Sequence, residues 1–251
     1  MTDPDKLISI ITIVRNDPDG LERTIQSVVG QSYKTYEYIV VDGASTDSTA
    51  QVIERHKRHI SKLISGPDRG IYDAMNKGVN VANGEYVIFM NAGDSFNSDN
   101  VLEAFIGPLN DDVDIFYGDA YFEPKEEGSR PLLWKAQTNQ GEFWKKMPFS
   151  HQSAFVKRTL LMKYPFSLSN KIVSDFEFFI RAQKDGATFR YVDVPVVLIE
   201  RGGLSHQSIL RRTWERYRVV NKHYHSMRKS VFYIKLLTGI LLGEIRRKVT
   251  K

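Results

Sequence analysis

Tyr86-Val87-Ile88-Phe89-Met90-Asn91-Ala92-Gly93-Asp94 is an apolar run that breaks into a polar, glycine-containing turn and ends on a carboxylate. A continuous apolar stretch bounded by turn residues reads as a buried strand, here with an acid at its carboxyl end. Tyr38-Ile39-Val40-Val41 runs into Asp42-Gly43 in the same way. Two buried strands that each end in Asp point to one crevice, because open α/β sheets bind ligands beyond the carboxyl ends of their strands, where strand order reverses. A polar, phosphate-bearing ligand suits that crevice.

Outward from this stretch, strands and helices alternate. Leu7–Val14 is a β-branched strand and Leu21–Val29 has helical periodicity; Tyr38–Asp42 is followed by the capping cluster Ser45-Thr46-Asp47-Ser48 and a helix Thr49–His59. A strand Lys62–Ser65 leads through Gly66-Pro67-Asp68-Arg69-Gly70 to a helix reaching Asn80, and Tyr86–Asn91 is the fourth strand. That alternation predicts right-handed βαβ units and an α/β fold, Rossmann-like, with a mostly parallel central sheet and helices on both faces. After Asp94 the pattern loosens: Val101–Phe105 reads as helix, Asp114–Tyr117 and Leu132–Lys135 as strands, and Ser174–Lys184 as an amphipathic helix starting on Ser174 and ending at Gly186. Thr188–Ile199 reads as a strand pair or a long edge strand interrupted by Pro195. The expected division is residues 1–206 as one domain, with a nucleotide half at 1–97 and an acceptor half at 98–206, followed by a basic, amphipathic helical extension at 207–251.

The 251 residues are 41% hydrophobic, enough for one sizeable α/β core plus an appendage. The absence of cysteine excludes disulfides, thiolate metal sites and cysteine nucleophiles. The net charge of +5 is uneven: residues 207–251 carry 12 Lys or Arg against Glu215 and Glu244, a net of +10, which leaves −5 on residues 1–206. A cationic tail suits an anionic membrane or nucleic acid. The apolar surface from Val231 to Ile245, closed by Arg246-Arg247-Lys248, favours the membrane, and no RNA- or DNA-binding motif accompanies the charge. As a helix that stretch reaches about 22 Å against a hydrocarbon core of roughly 30 Å, so it is expected to lie in the interface. The alternative is a helix packed on the domain or on the second subunit of a homodimer. With Met1-Thr2-Asp3-Pro4-Asp5-Lys6 polar and acidic, no signal peptide is read, and a cytoplasmic address at the inner face of the plasma membrane is expected.

Several stretches together resemble one family. Leu7–Asn16, Val40–Asp47, Asp68-Arg69-Gly70-Ile71-Tyr72-Asp73-Ala74-Met75-Asn76-Lys77-Gly78, Gly84–Asp94, His151-Gln152-Ser153-Ala154-Phe155 and Ser174-Asp175-Phe176-Glu177-Phe178-Phe179 are similar, in order and spacing, to the motifs of the family 2 inverting glycosyltransferases with the GT-A fold, of the bacterial cell-surface polysaccharide type. The resemblance covers roughly residues 7–206. It implies a nucleotide-sugar-dependent hexosyltransferase that moves a sugar from a nucleotide diphosphate, by family habit UDP, to a hydroxyl of a glycan or lipid-linked acceptor.

The resemblance also implies roles. Thr12, Val14, Asn16, Asp42, Arg69, Asn76, Asn91, Ala92 and Gly93 would face the donor, Asp42 accepting from a uracil N–H. Asp94 stands where the family places the last acid of the motif that holds Mn²⁺ or Mg²⁺ on the diphosphate, a task for hard oxygen ligands. Asn91 and Gly93 replace acids common there, leaving one carboxylate. His206, after Gly202-Gly203-Leu204-Ser205, is a further metal or phosphate candidate, and His151 and Gln152 lie near the donor sugar and acceptor. Asp175 matches the general base, since inversion needs one carboxylate to take the acceptor proton and no second as nucleophile. Glu177 is its rival, about 200° away on the helix, and is expected to be of little consequence if replaced. Asp17 and Asp47 read as caps. The reduced acidic motif also fits a catalytically weakened sugar-nucleotide-binding or scaffolding protein, against which the presence of Asp175 counts.

Overall fold

β1 (Ile8–Val14) is buried at every position because it runs through the centre of the sheet and is covered on both faces. In the computed structural model the described residues are 8–109, 112–124, 126, 128–139, 141–202 and 209–249, with side chains to 243. The expected start at Leu7, the boundary between 206 and 207, and the Ile245-to-Lys248 side chains lie outside them.

The strands that follow are β2 (Tyr36–Asp42), β3 (Lys62–Ser65), β4 (Tyr86–Phe89), β5 (Ser95–Phe96), β6 (Ile115–Phe122), β7 (Leu132–Trp134), β8 (Ala154–Lys157) and β9 (Phe189–Ile199). Their order is β3-β2-β1-β4-β8-β6-β9-β5, with β7 pairing β6 off this path. The first three strands step one way across the sheet and β4 returns to the other side of β1, so order reverses between β1 and β4. All of these pairings are parallel, and their carboxyl ends align, Val14 opposite Asp42 and Asp42 opposite Ser65. β8 then joins β4 antiparallel and links the remaining strands to the sheet.

Alternation along β1 decides which helix covers which face. Ile8 and Ile10 pack with Leu21, Ile25 and Val28 of α1 (Pro18–Val29) and with Val52 and Ile53 of α2 (Thr49–Arg55). Ile11 and Ile13 pack with Tyr72, Met75 and Val79 of α3 (Ile71–Val81) and with Phe176 and Phe179 of α6 (Ser174–Lys184). Two short helices, α4 (Val101–Ile106) and α5 (Arg158–Lys163), complete the covering. The expected α/β layering with helices on both faces is present.

Two expectations change, and three short elements are added. Thr188–Ile199 forms one strand: β9 pairs β6 in parallel along its length and takes β5 at Val197 and Leu198, so its carboxyl half is interior to the sheet. Pro195 sits at an irregularity, with register shifts on both sides of its pairing to Asp119, where a missing N–H is tolerated. Gly118 allows the close approach, since a Cβ there would lie 2.3 Å from the Val194 carbonyl oxygen. Next, β5, β8 and α5 carry too few residues to show a period of their own. Finally, the tail holds two helices, α7 (Ile209–Tyr224) and α8 (Met227–Val249), separated near His225 at φ 43°. At 23 residues α8 is about 34 Å long, so length is not what prevents spanning. Arg228, Lys229 and Lys235 interrupt it, and no helix among the described residues is long and apolar enough to cross a membrane.

Gly78 sets the depth at which α3 beds on the sheet. A Cβ there would fall 2.6 Å from Ile11 Cγ2, and Ile11 is fully buried with no room to withdraw. Gly78→Ala should therefore destabilise the fold by about 1–3 kcal/mol through overpacking, outweighing the roughly 1 kcal/mol that alanine gains in a helix. Urea unfolding measures the sign, and a stabilised variant would show that the sheet yields.

Candidate active site

The carboxyl ends of β1 and β2 are stitched together. Asn16, at φ 52°, receives the Thr46 N–H on Oδ1 at 2.8 Å, and its own N–H donates to Ser45 Oγ at 2.8 Å. Asparagine is among the residues that tolerate this left-handed geometry. Asp42 is 4% exposed and accepts from the Ser45 N–H at 3.1 Å and from Ser65 Oγ at 2.8 Å. A carboxylate offers about four lone-pair sites, so Asp42 keeps acceptor capacity. Asp68 closes against the same loop, its Oδ2 standing where a Cβ on Gly43 would come within 2.4 Å.

Thr12 and Val14, expected among the donor contacts, are buried in the core on the α1 side, and the Thr12 hydroxyl accepts from Tyr38 Oη at 3.0 Å. Both side chains sit on one covered face of the strand, so only their backbone groups are left to meet a donor. Asn76 is also spent elsewhere: its amide clamps the Phe166 backbone, Nδ2 to the carbonyl and Oδ1 from the N–H, each at 2.9 Å. Arg69 is exposed and pairs with Asp73 at 3.3 Å. His206 lies outside the described residues.

The turn after β4 is built around Thr24, whose hydroxyl donates to the Asp94 carbonyl at 2.6 Å and accepts the Gly93 N–H at 3.1 Å. Gly93 is at φ 95°, and a Cβ there would overlap Glu200 Oε2 at 2.0 Å. The Asp94 carboxylate is 5% exposed. Its Oδ1 accepts the Glu200 N–H at 3.0 Å and its Oδ2 accepts Gln152 Nε2 at 3.2 Å. Burial pushes this carboxyl up to about 7; the two hydrogen bonds and nearby His151 oppose the shift, and the Glu200 carboxylate adds to it. Beside it, among the described residues, Asn91 Oδ1 and His151 Nε2 are buried without a hydrogen-bond partner. Each such orphan costs about 1–3 kcal/mol unless a ligand satisfies it.

Asp175 stands at the start of α6. Its Oδ1 accepts from Tyr72 Oη at 2.9 Å and its Oδ2 lies 3.2 Å from His151 Nδ1. Burial alone would raise this carboxyl, but the bond and charge of His151 and the Tyr72 hydroxyl outweigh it and hold Asp175 below the usual carboxylate range. With 17% of its side chain exposed, it is ionised and still reachable. Ser174 does not cap α6; the cap position is Val173, and the Ser174 hydroxyl is buried without a partner. Asp17 does cap α1, accepting from the Gly20 N–H, whereas the cap position of α2 is Ser48 and Asp47, one residue earlier, closes a turn on the Thr49 N–H.

Glu177 points away, as the helical angle requires. It is 2% exposed and takes Asn170 Nδ2 at 2.6 Å, Lys222 Nζ at 2.8 Å and His223 Nε2 at 2.9 Å. Burial would raise it, yet His223 and Lys222 bring it down to about 2. Its replacement is thus a structural change, contrary to the mild effect expected from sequence.

Tyr72 and Glu200 were not anticipated. Nothing local marks Tyr72, whose phenol meets Asp175 from 103 positions away. Glu200 follows Ile199 at the end of β9, so the strand-ending-in-acid pattern that exposed Asp42 and Asp94 would have found it. Burial raises its carboxyl above the usual range, against the opposing charge of Arg23, with which it forms an ion pair.

The Asp94 shift has a checkable sign. A carboxyl protonated to about pH 7 in the fold but ionised above roughly pH 4 in the unfolded chain makes the native state bind the extra proton, so stability falls as pH rises between those values. Without nucleotide or metal, the melting temperature should drop across this window, and Asp94→Asn should flatten the drop to the smaller part contributed by Glu200. An unchanged slope in Asp94→Asn would locate the titration elsewhere.

The sequence profile of Glycosyl transferase family 2 matches residues 9–168. A PGL/p-HBAD biosynthesis glycosyltransferase of Mycobacterium bovis is 30% identical over 209 residues, covering 80% of this chain and 79% of that one. Among solved structures, S. aureus TarS in complex with UDP-GlcNAc superposes with a TM-score of 0.71 at 16% identity, covering 93% of this chain and 71% of that one. Glucosyl-3-phosphoglycerate synthase from Mycobacterium tuberculosis, in complex with Mn²⁺, UDP and phosphoglyceric acid, does so with a TM-score of 0.57 at 15% identity, over 84% of this chain and 78% of that one. An acid-tipped parallel sheet, a buried carboxylate at the head of α6 and these matches agree: the chain belongs to the family 2 glycosyltransferases and is a sugar-transferring enzyme of the GT-A fold.

Proposed function

We propose that the protein transfers a sugar with inversion from a nucleotide diphosphate, UDP by preference, to a hydroxyl of a glycan or lipid-linked acceptor in cell-surface polysaccharide synthesis. The observation that carries this reading is Asp175, ionised between His151 and Tyr72 and linked through the His151-Gln152 turn to Asp94. In the reaction, the acceptor oxygen forms a bond to the anomeric carbon as the bond from that carbon to the diphosphate oxygen breaks, and the hydroxyl proton passes to the Asp175 carboxylate. One carboxylate on that side suffices, which is the requirement for inversion. Tyr72 and His151 orient the base, and Asp42 and Asn16 at the strand tips receive the nucleoside.

The residues present fit a divalent cation, Mn²⁺ or Mg²⁺: Asp94 carries a carboxylate whose burial calls for a positive partner, and Asn91 offers an orphaned amide oxygen. When bound, the ion would neutralise charge on the leaving diphosphate. No group of three or more His, Asp or Glu able to hold an ion occurs among the described residues, so Asp94, Asn91 and Glu200 would share the ion with the phosphates. The mycobacterial synthase, crystallised with Mn²⁺ and UDP, supports this part by analogy.

The tail supports a membrane setting. Tyr233 of α8 is buried and donates to the Trp144 carbonyl at 2.7 Å, while Phe232 meets the Trp144 ring edge-on at 5.3 Å. Val231, Ile234, Leu241 and Leu242 are exposed at 42%, 47%, 47% and 60% and recur at helical spacing as one stripe. One side of α8 thus grips the domain and another offers aliphatic surface flanked by basic residues. Such a face suits the headgroup boundary of an anionic leaflet, on the inner side of the plasma membrane.

Asp175→Asn should lower sugar transfer by about 10²–10⁴-fold, the range of a positioned general base, with UDP affinity by calorimetry nearly unchanged. A variant retaining more than a tenth of the rate would move the base elsewhere. The triple change Ile234→Ser, Leu241→Ser, Leu242→Ser should abolish flotation with anionic vesicles without lowering the melting temperature or transfer to a small soluble acceptor. Loss of stability instead would make the stripe a packing surface.

A further inference from the structure

A cavity of about 370 Å³ opens between the start of α3 and the segment before α6, and its lining includes Arg69, Tyr72, Asp73, Lys171 and Arg211. Three cations therefore stand against one carboxylate. That carboxylate, Asp73, is held low first by the Arg69 N–H and further by Lys77. Arg69 and Arg211 keep 76% and 56% of their side chains exposed. Arg211 Nε rests on Glu215 at 3.2 Å and Lys171 Nζ on the Arg69 carbonyl at 3.4 Å. Guanidinium groups at a cavity mouth suit bidentate recognition of phosphate.

The wall is built, not incidental. Glu215, 4% exposed, accepts the Lys171 and Ile172 N–H groups at 3.0 and 2.8 Å, and Asn170 is bonded to buried Glu177. Two buried acids thus pin residues 170–172 and hold Lys171 at the rim. The opposite wall begins at Gly70, which offers no side chain to cap α3, so the positive end of that helix also faces this region.

The position relative to Asp175 decides what the cavity serves. The Asp175 Oδ2 faces His151, on the side of Gln152 and Asp94, where donor diphosphate is expected; its Oδ1 faces Tyr72, which lines the cavity. Tyr72 thus joins the cavity wall to the Asp175 carboxylate, whose other oxygen meets His151. Resting on the transferase reading above, we infer that this cavity seats a phosphate-type anion carried by the acceptor, with Lys171 and Arg211 as its contacts, so that the acceptor hydroxyl is delivered to Asp175.

The same chemistry could come from the donor diphosphate, and the test separates the two sources. Full-length protein is first saturated with UDP and Mn²⁺, then titrated with inorganic phosphate by calorimetry, as wild type and as Lys171→Gln with Arg211→Gln. The expected result is phosphate binding at saturating UDP, weakened at least tenfold in the double variant, with UDP affinity unchanged within about twofold. Lys171→Arg should restore most of the phosphate binding, which a merely structural role would not require. If phosphate competes with UDP, or the double variant loses UDP and phosphate together, the cations serve the donor and the acceptor subsite is wrong. Wild type that binds UDP but no phosphate also overturns it, leaving the transferase reading intact; wild type that fails to bind any nucleotide removes the transferase reading itself. Should the double variant unfold, the single Lys171→Gln, exposed at the rim, gives the same comparison.

Discussion

Asp94 is where the two halves of the molecule are fastened. A carboxylate cannot be carried into the interior without donors, because its desolvation costs several kcal/mol. Both donors come from the second half of the chain: the backbone of Glu200 after β9 and the amide of Gln152 before β8. The turn that bears Asp94 belongs to β4 and is moulded by Thr24 of α1. The contacts that dock β9 and the segment before β8 on the first half of the sheet are thus the ones that position Asp94. The cost that remains is visible as a carboxyl pushed up to about 7, the kind of residual strain that a bound cation would relieve.

The same economy governs α6. Asp175 and Glu177 leave the helix on opposite sides, and each is buried against a different set of donors. Asp175 takes His151 and Tyr72 and faces the crevice; Glu177 takes Asn170, Lys222 and His223 and binds α7. Glu177 is buried, so its bonds to Lys222 and His223 tie α7 to the helix that carries Asp175. Through Glu215, α7 also shapes the loop at residues 170–172. The basic tail is therefore two things: α7 belongs to the scaffold of the acceptor side, and α8 extends it with a surface of its own.

Asp175 stands out only through its resemblance to a family motif; the residues by themselves determined the layered α/β fold, the strand-tip acids Asp42 and Asp94 and the basic helical tail. These were legible because their signals are local: an apolar run long enough for one strand, a turn and an acid at its end, a 3.6-residue period. Only the tertiary structure decided which polar groups answer one another. The side chains of Thr12 and Val14 are core and that of Asn76 clamps Phe166, since the face a strand residue occupies depends on what covers it. Tyr72 reaches Asp175 across 103 positions and Glu200 reaches Asp94 across 106. A buried charge must find its donors in space, and nothing in the local pattern says which distant segment will bring them.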